Sequence, residues 1–95
     1  MSEQATARVT IKNRLGLHAR PAMALVDLAS TFGCEVLLQR ADDEGGEAVD
    51  GKSIMQVMML AATQGTELLV NCRGADAEAA RDAIEKLVKQ GFGED

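Results

Sequence analysis

Residues 16–21 are Gly16-Leu17-His18-Ala19-Arg20-Pro21, and they hold the only histidine and the only proline of the chain. Before them, apolar and polar residues alternate from Ala5 to Lys12, which predicts a half-buried strand. After them, apolar residues recur at helical spacing, which predicts a helix from about His18 to Phe32. Pro21 fits the first turn, where an N–H has no intrahelical partner. The stretch therefore marks the change from strand to helix and places the histidine at the helix start.

A histidine at a helix start lies among backbone N–H groups without intrahelical partners, in the positive end of the helix field. That environment binds anions and disfavours the imidazolium, so a neutral ring nitrogen stays available as a nucleophile. Arg20 supplies a planar cation suited to phosphate oxygens. These residue types indicate that His18 accepts a phosphoryl group and passes it on. The alternative is a histidine that only caps the helix or lies on the surface.

Two segments resemble one known family. Residues 16–22, Gly-Leu-His-Ala-Arg-Pro-Ala, resemble the active-site motif of HPr, the histidine phosphocarrier of the bacterial phosphotransferase system (PTS). Gly51-Lys52-Ser53-Ile54-Met55, running on to Val57, Met58 and Leu60, resembles the regulatory-serine region of the same family. The resemblance extends from Ala5 to Phe92, and two motifs in register make it specific.

The resemblance implies a role for each motif residue. In the family, the histidine Nδ1 takes the phosphoryl group from enzyme I and passes it to IIA proteins, without a metal or another cofactor. His18 is accordingly expected to be the phosphoryl acceptor and Arg20 to neutralise the phosphate. Ser53 is a candidate for phosphorylation by an HPr kinase/phosphorylase, and it is also a natural helix N-cap. Such a carrier has no independent catalytic turnover.

The family also exposes part of the helix after Ser53 for partner docking. The docking residues implied here are Leu17, Ile54, Met55 and Met58. We expect Ile54 and Met58 to be exposed, and Val57 and Leu60 to be buried. Flexible thioether side chains suit a surface that must fit several partners. Two departures from the family, Gln56 and a long acidic loop at 40–46, could alter the choice of partner.

The pattern predicts one domain of residues 1–95 with residues 1–4 frayed, and the resemblance implies an α+β fold, the HPr-like open-faced β-sandwich. The order is β-α-β-β-α-β-α, with a four-stranded antiparallel sheet covered on one face by three helices. The remaining predicted strands are Cys34–Gln39, Glu47–Val49 and Thr66–Arg73. The remaining predicted helices are Ser53–Ala61 and Asp76–Gln90.

Composition bounds the function. The net charge of −5 and the presence of only two aromatic residues, both Phe, argue against nucleic-acid binding. Cys34 and Cys72 lie in apolar runs without metal-ligand spacing, so buried free thiols are favoured over a disulfide. No apolar run has the length of a membrane span, and a cytoplasmic monomer is expected.

Two alternatives stay open from the sequence. The family has a branch that feeds sugar uptake and a nitrogen-related branch that feeds regulatory partners, and features of this chain point each way. Phe92-Gly93-Glu94-Asp95 and Met23 favour the nitrogen-related branch, whereas the intact Gly-Lys-Ser-Ile-Met segment favours kinase-regulated carriers. A regulatory binding module that transfers no phosphoryl group is a second class of function, and the presence of His18 argues against it.

Overall fold

The computed structural model of the chain describes residues 3–42 and 46–94. The strands are β1 (Gln4–Thr10), β2 (Glu35–Arg40), β3 (Val49–Asp50) and β4 (Glu67–Arg73). The helices are α1 (Ala19–Ser30), α2 (Ile54–Met58) and α3 (Ala77–Lys89), followed by a short 3-10 turn, Gly91–Gly93. The predicted α+β class and order of elements are confirmed.

The sheet is antiparallel throughout, with the strand order β1-β4-β2-β3. β4 lies between β1 and β2, so Val70 has Ala7 on one side and Leu38 on the other. Alternate side chains on each strand point under the helices, which cover one face of the sheet. The four-stranded sheet with three helices is the predicted open-faced sandwich.

The ends of several elements differ from the prediction. β1 begins at Gln4, and the carbonyl of Glu3 accepts a 2.8 Å hydrogen bond from the N–H of Gly74. The predicted fraying is therefore wrong for residues 3 and 4, because β4 and the turn after it hold them. The N-terminal Met1 and Ser2 lie outside the described residues, as do residues 43–45 of the predicted 40–46 loop.

The two middle elements are shorter than predicted. β3 has two residues, and α2 has five, ending at Met58 rather than near Ala61. Ala61 has a positive φ of 49°, a left-handed conformation that a helix cannot contain. Arg40, placed in the loop by the sequence pattern, is the last residue of β2.

The core is aliphatic, as the composition indicates, and both cysteines are buried in it as free thiols. Burial raises the pKa of the Cys72 thiol to about 11, and burial also raises the pKa of Cys34. The preference for free thiols is confirmed. In the part of the chain that the structure describes, every helix is too short or too polar to cross a bilayer.

Candidate functional site

His18 lies at the N-terminus of α1, at the end of a tightly held turn. The turn is closed by a hydrogen bond from the Gly16 N–H to the Asn13 carbonyl (3.1 Å). The Leu17 N–H donates to the carbonyl of Ala62 at 2.8 Å, which fixes the chain against the segment after α2. His18 is therefore held by backbone bonds on the residues just before it.

The His18 side chain does not cap the helix. The residue is the N-cap of α1 with extended backbone (φ −77°, ψ −174°), and its carbonyl accepts the N–H of Ala22 at 3.0 Å. The ring makes no capping hydrogen bond. The interpretation of His18 as a capping histidine is therefore wrong, and the imidazole is available for other chemistry.

The helix start beside the ring favours an anion. The N–H groups of Ala19 and Arg20 belong to the first turn, where no intrahelical acceptor exists, and Pro21 has no N–H. No acidic residue lies in the first turn of α1. The positive end of the helix is thus not neutralised by a carboxylate of α1 itself.

An open cleft of about 390 Å³ surrounds the ring. It is lined by Arg14, Leu15, His18, Arg20, Gly93 and Glu94. The predicted pair His18 and Arg20 therefore lines one cleft, and Arg14 adds a second guanidinium that sequence reasoning left in a turn. Both arginines are exposed, so they can reach an incoming phosphate.

Glu94 is a further cleft residue that the sequence did not indicate. Its Oε1 lies 3.1 Å from the His18 Nε2 although the two residues are 76 positions apart. Its side chain is 21% exposed and that of His18 is 37% exposed. No periodicity or motif places a residue near the end of the chain beside the first helix, so only the tertiary structure shows this contact.

Ser53 is the N-cap of α2, as predicted. Its Oγ accepts the N–H of Gln56 at 3.3 Å, and the Gln56 side chain in turn accepts the N–H of Asp50 at 2.9 Å. The Lys52 ammonium donates to the carbonyl of Phe32 at 2.7 Å, near the C-terminus of α1. Gln56 therefore braces the turn that leads into α2.

The predicted docking residues separate into two groups. Met55 and Met58 are 77% and 40% exposed, and Val57 and Leu60 are buried as expected. Leu17 is only 5% exposed because its bonded backbone turns the side chain into the core, so its assignment to the docking patch is wrong. Ile54 is half-buried and packs against the core from the first turn of α2, so its expected exposure is also wrong.

Met59 enlarges the exposed part of this region, with 77% of its surface exposed. We refer to Met55, Met58 and Met59 as the methionine surface. Leu15 in the cleft and Met23 on α1 are exposed as well. Met59 was not among the docking residues predicted from the sequence; the predicted helix ran to Ala61, whereas α2 ends at Met58 and Met59 follows it.

Comparisons with known proteins agree with the geometry. Residues 5–90 match the family model described as the PTS HPr component phosphorylation site. The phosphocarrier protein HPr of Pseudomonas putida is 46% identical over 90% of this chain and 92% of that protein. The phosphocarrier protein NPr of Proteus mirabilis is 47% identical over 93% of this chain and 94% of that protein.

Solved structures give the same result. The crystal structure of HPr-C-His from Thermoanaerobacter tengcongensis superposes with a TM-score of 0.87 at 35% identity, covering 96% of this chain and 98% of that one. The HPr of Bacillus anthracis gives a TM-score of 0.81 at 33% identity, covering 90% and 96% of the two chains. A match over nearly the whole length in sequence and in fold leaves no ambiguity of class: the chain belongs to the PTS-HPr family.

Proposed function

We propose that this protein is a phosphocarrier of the PTS that accepts a phosphoryl group from enzyme I on the Nδ1 of His18 and passes it to IIA proteins. The observation that carries the proposal is the environment of the His18 ring. It does not cap α1, and it lines an open cleft with Arg14 and Arg20. The other ring nitrogen, Nε2, faces Glu94, so Nδ1 is the nitrogen left to react.

The site supplies alignment and charge rather than covalent machinery. A phosphoryl group in transfer carries charge on its three peripheral oxygens, and catalysis consists mainly of positioning and neutralisation. Arg20 and Arg14 provide guanidinium groups, and the first turn of α1 provides N–H groups. No cofactor is needed on this partner, because the group moves directly between histidine carriers and their acceptors.

The methionine surface is the proposed docking site for enzyme I and IIA proteins. α2, which bears it, packs against α1, the helix that begins beside His18. Thioether side chains adapt to differently shaped partners, which suits a carrier that must meet both a donor and an acceptor. Met55 and Met58 keep their predicted role, and Met59 joins them in place of Leu17.

Ser53 is proposed as a regulatory phosphorylation site for an HPr kinase/phosphorylase. Its hydroxyl caps a helix, and phosphorylation would leave acceptor oxygens at that positive end, so α2 would persist. The added charge of about −1.5 to −2 would lie next to Ile54 and the methionine surface, which must lose its bound water when a partner docks. Regulation would therefore act on binding rather than on the fold.

Exchange with enzyme I and IIA proteins requires this carrier to be where those partners are, and we propose that it works in the cytoplasm as a monomer. Relatives named HPr and NPr are about equally similar to it. Acceptors of the sugar branch and of the nitrogen-related branch must therefore be tested in parallel.

The test is phosphorylation with phosphoenolpyruvate and enzyme I. We expect one acid-labile, base-stable phosphoryl group on the wild type and none on His18→Ala, with the fold of the variant checked by circular dichroism. Each IIA acceptor is then mixed with the phosphorylated protein, and the faster transfer assigns the branch. Labelling that persists in His18→Ala would contradict the proposal, and an unlabelled wild type would favour a purely regulatory binding module.

A further inference from the structure

The chain after α3 turns back toward His18 through three consecutive residues in the left-handed region. Gly91, Phe92 and Gly93 have φ values of 64°, 58° and 75°. Phe92 adopts this conformation without being glycine, and its side chain packs against the core. The Glu94 N–H donates to the Gly91 carbonyl at 2.9 Å, which closes the turn. This turn directs the Glu94 carboxylate into the cleft.

A buried amide holds the carboxylate at the ring. Asn13 is 1% exposed, and its Nδ2 donates to the Gly16 carbonyl at 2.7 Å and to the Glu94 Oε1 at 3.1 Å. The Nδ2 of an asparagine carries two N–H groups, so it can serve both acceptors at once. The carboxylate is thus tied to the same turn that presents His18. Such a link between the two ends of the chain fixes the position of Glu94 relative to the ring.

The carboxylate dictates which ring nitrogen carries the proton. An ionised carboxylate only accepts hydrogen bonds, so the nitrogen 3.1 Å from the Glu94 Oε1 must be an N–H. A neutral imidazole with its proton on Nε2 has its free lone pair on Nδ1. The two nitrogens point in different directions from the ring, so Glu94 does not occupy the place that a phosphoryl group on Nδ1 would take.

We propose that Glu94, braced by Asn13, is a positioning residue that keeps the proton of His18 on Nε2 in both the free and the phosphorylated carrier. This inference rests on the proposed phosphocarrier function. In the forward step the Nδ1 lone pair forms the N–P bond, and the bond from phosphorus to the donor breaks with its electron pair staying on the donor.

The proton then has a role in the onward step. With phosphoryl on Nδ1 and a proton on Nε2, the ring carries a positive charge that the Glu94 carboxylate balances. When the acceptor attacks phosphorus, the N–P electron pair returns to Nδ1 and the ring leaves as neutral imidazole. The proton stays on Nε2 throughout, so Glu94 makes proton transfer unnecessary in either direction.

The first experiment measures the ring itself, without any partner. In protein labelled with ¹⁵N-histidine, couplings from the ring protons distinguish an N–H nitrogen from a bare one. We expect the wild type to show the proton on Nε2. In Glu94→Gln both tautomers should be seen, because the amide can donate to a bare Nε2 as well as accept. The matched control is Glu35→Gln, which removes a carboxylate paired with Arg73 at the other end of the sheet.

The second experiment measures transfer. We expect phosphorylation by enzyme I and onward transfer to be about tenfold slower in Glu94→Gln, the effect of losing one charge-assisted hydrogen bond, and Glu35→Gln to match the wild type. Glu94→Asp should recover part of the rate because it keeps the charge with a shorter reach.

Two results would overturn the role of Glu94: wild-type tautomer signals in Glu94→Gln, or an unchanged transfer rate. A loss of thermal stability with unchanged ring signals would mean that Glu94 only braces the turn. If the wild type accepts no phosphoryl group, the phosphocarrier function fails and with it the catalytic part of the inference. The ring signals of the unphosphorylated protein would still decide whether Glu94 holds the proton.

Discussion

The carbonyl oxygen of Ala62 lies so close to Gly16 that a Cβ at position 16 would be only 2.5 Å from it. Gly16 also has a φ of +70°, which L side chains rarely adopt. This close approach is what sets the turn before His18 against the segment after α2. The position of the histidine therefore depends on the absence of a side chain two residues earlier.

Gly16→Ala should consequently destabilise the protein by about 3 kcal/mol, from backbone strain and a clash that neither backbone can relieve. Gly65→Ala is the control, since Gly65 has a φ of +90° but no atom within 4 Å of an added Cβ. That variant should lose only about 1 kcal/mol. Urea unfolding measures the stability of both variants, and equal losses would show that the backbone around Ala62 moves aside at little cost.

Arg20→Ala should slow phosphoryl transfer to His18 by about tenfold, because one charge-assisted contact to the phosphate is lost. Stability should change little, since Arg20 is exposed. Arg20→Lys should restore the rate only in part, because lysine lacks the planar fork of donors. Arg8→Ala on the uncovered sheet face is the control for loss of a positive charge. A rate in Arg20→Ala equal to that of the control would remove Arg20 from the site.

Two substitutions at Ser53 should separate its structural role from regulation. Ser53→Ala removes the cap and should cost about 1 kcal/mol of stability while leaving the affinity for enzyme I near normal. Ser53→Asp keeps a cap at the positive end of α2, so its stability should be close to wild type. Its affinity should be lower, because the new charge lies beside the docking surface and is expected to meet an acidic enzyme I surface. Equal calorimetric affinities for wild type and Ser53→Asp would mean that Ser53 is only a cap.

The methionine surface should contribute to binding without contributing to the fold. Met55→Gln and Met59→Gln replace strongly exposed side chains, and each should weaken enzyme I binding by about tenfold with little change in unfolding. Leu17→Ala is the informative contrast. Because Leu17 is buried, we expect Leu17→Ala to lower the free energy of unfolding by about 3 kcal/mol. Weaker enzyme I binding in a folded Leu17→Ala, with normal binding in Met59→Gln, would return Leu17 to the docking patch and remove Met59 from it.

Asp76 should make stability depend on pH in the acid range. Its carboxylate accepts the N–H groups of Gly33 (2.8 Å) and Cys34 (2.9 Å), and the bond from Gly33 is the main cause that lowers the Asp76 pKa below the ordinary 3.8. A depressed folded-state pKa gives stability that is present above pH 3.8 and lost as the pH falls through the lower folded value.

Thermal unfolding between neutral pH and pH 2 tests this expectation. Asp76→Asn should be less stable at neutral pH, because an amide has one acceptor oxygen and the carboxylate has two. The stability of this variant should also fall less steeply than that of the wild type below pH 3.8. Asp27→Asn, an exposed substitution on α1, is the control for loss of a negative charge. A pH profile of Asp76→Asn that parallels the wild type would show that other groups cause the acid loss.

The strand alternation of Ala5–Lys12 and the helical stripe around Leu25 and Ala29 were sufficient to predict the first strand and the first helix, and the resemblance to the family added the open-faced sandwich. This strand and this helix could be predicted locally, because the side-chain periods of about 2 and 3.6 residues depend only on neighbouring positions. The same locality explains why His18, Arg20 and the Ser53 cap could be predicted. Each depends on a helix start and on residues within a few positions of it.

What the sequence could not determine is where distant segments meet. Leu17 was assigned to the docking patch by the resemblance to the family, and neither motif shows the backbone hydrogen bond to Ala62 that accompanies its inward side chain. Glu94 was invisible because its contact with His18 depends on left-handed turn residues after α3 and on the buried amide of Asn13. Residue types, spacing and the resemblance to the family together predicted His18 as the nucleophile and Arg20 as its cation, whereas only the tertiary structure decided which nitrogen of the ring faces a carboxylate.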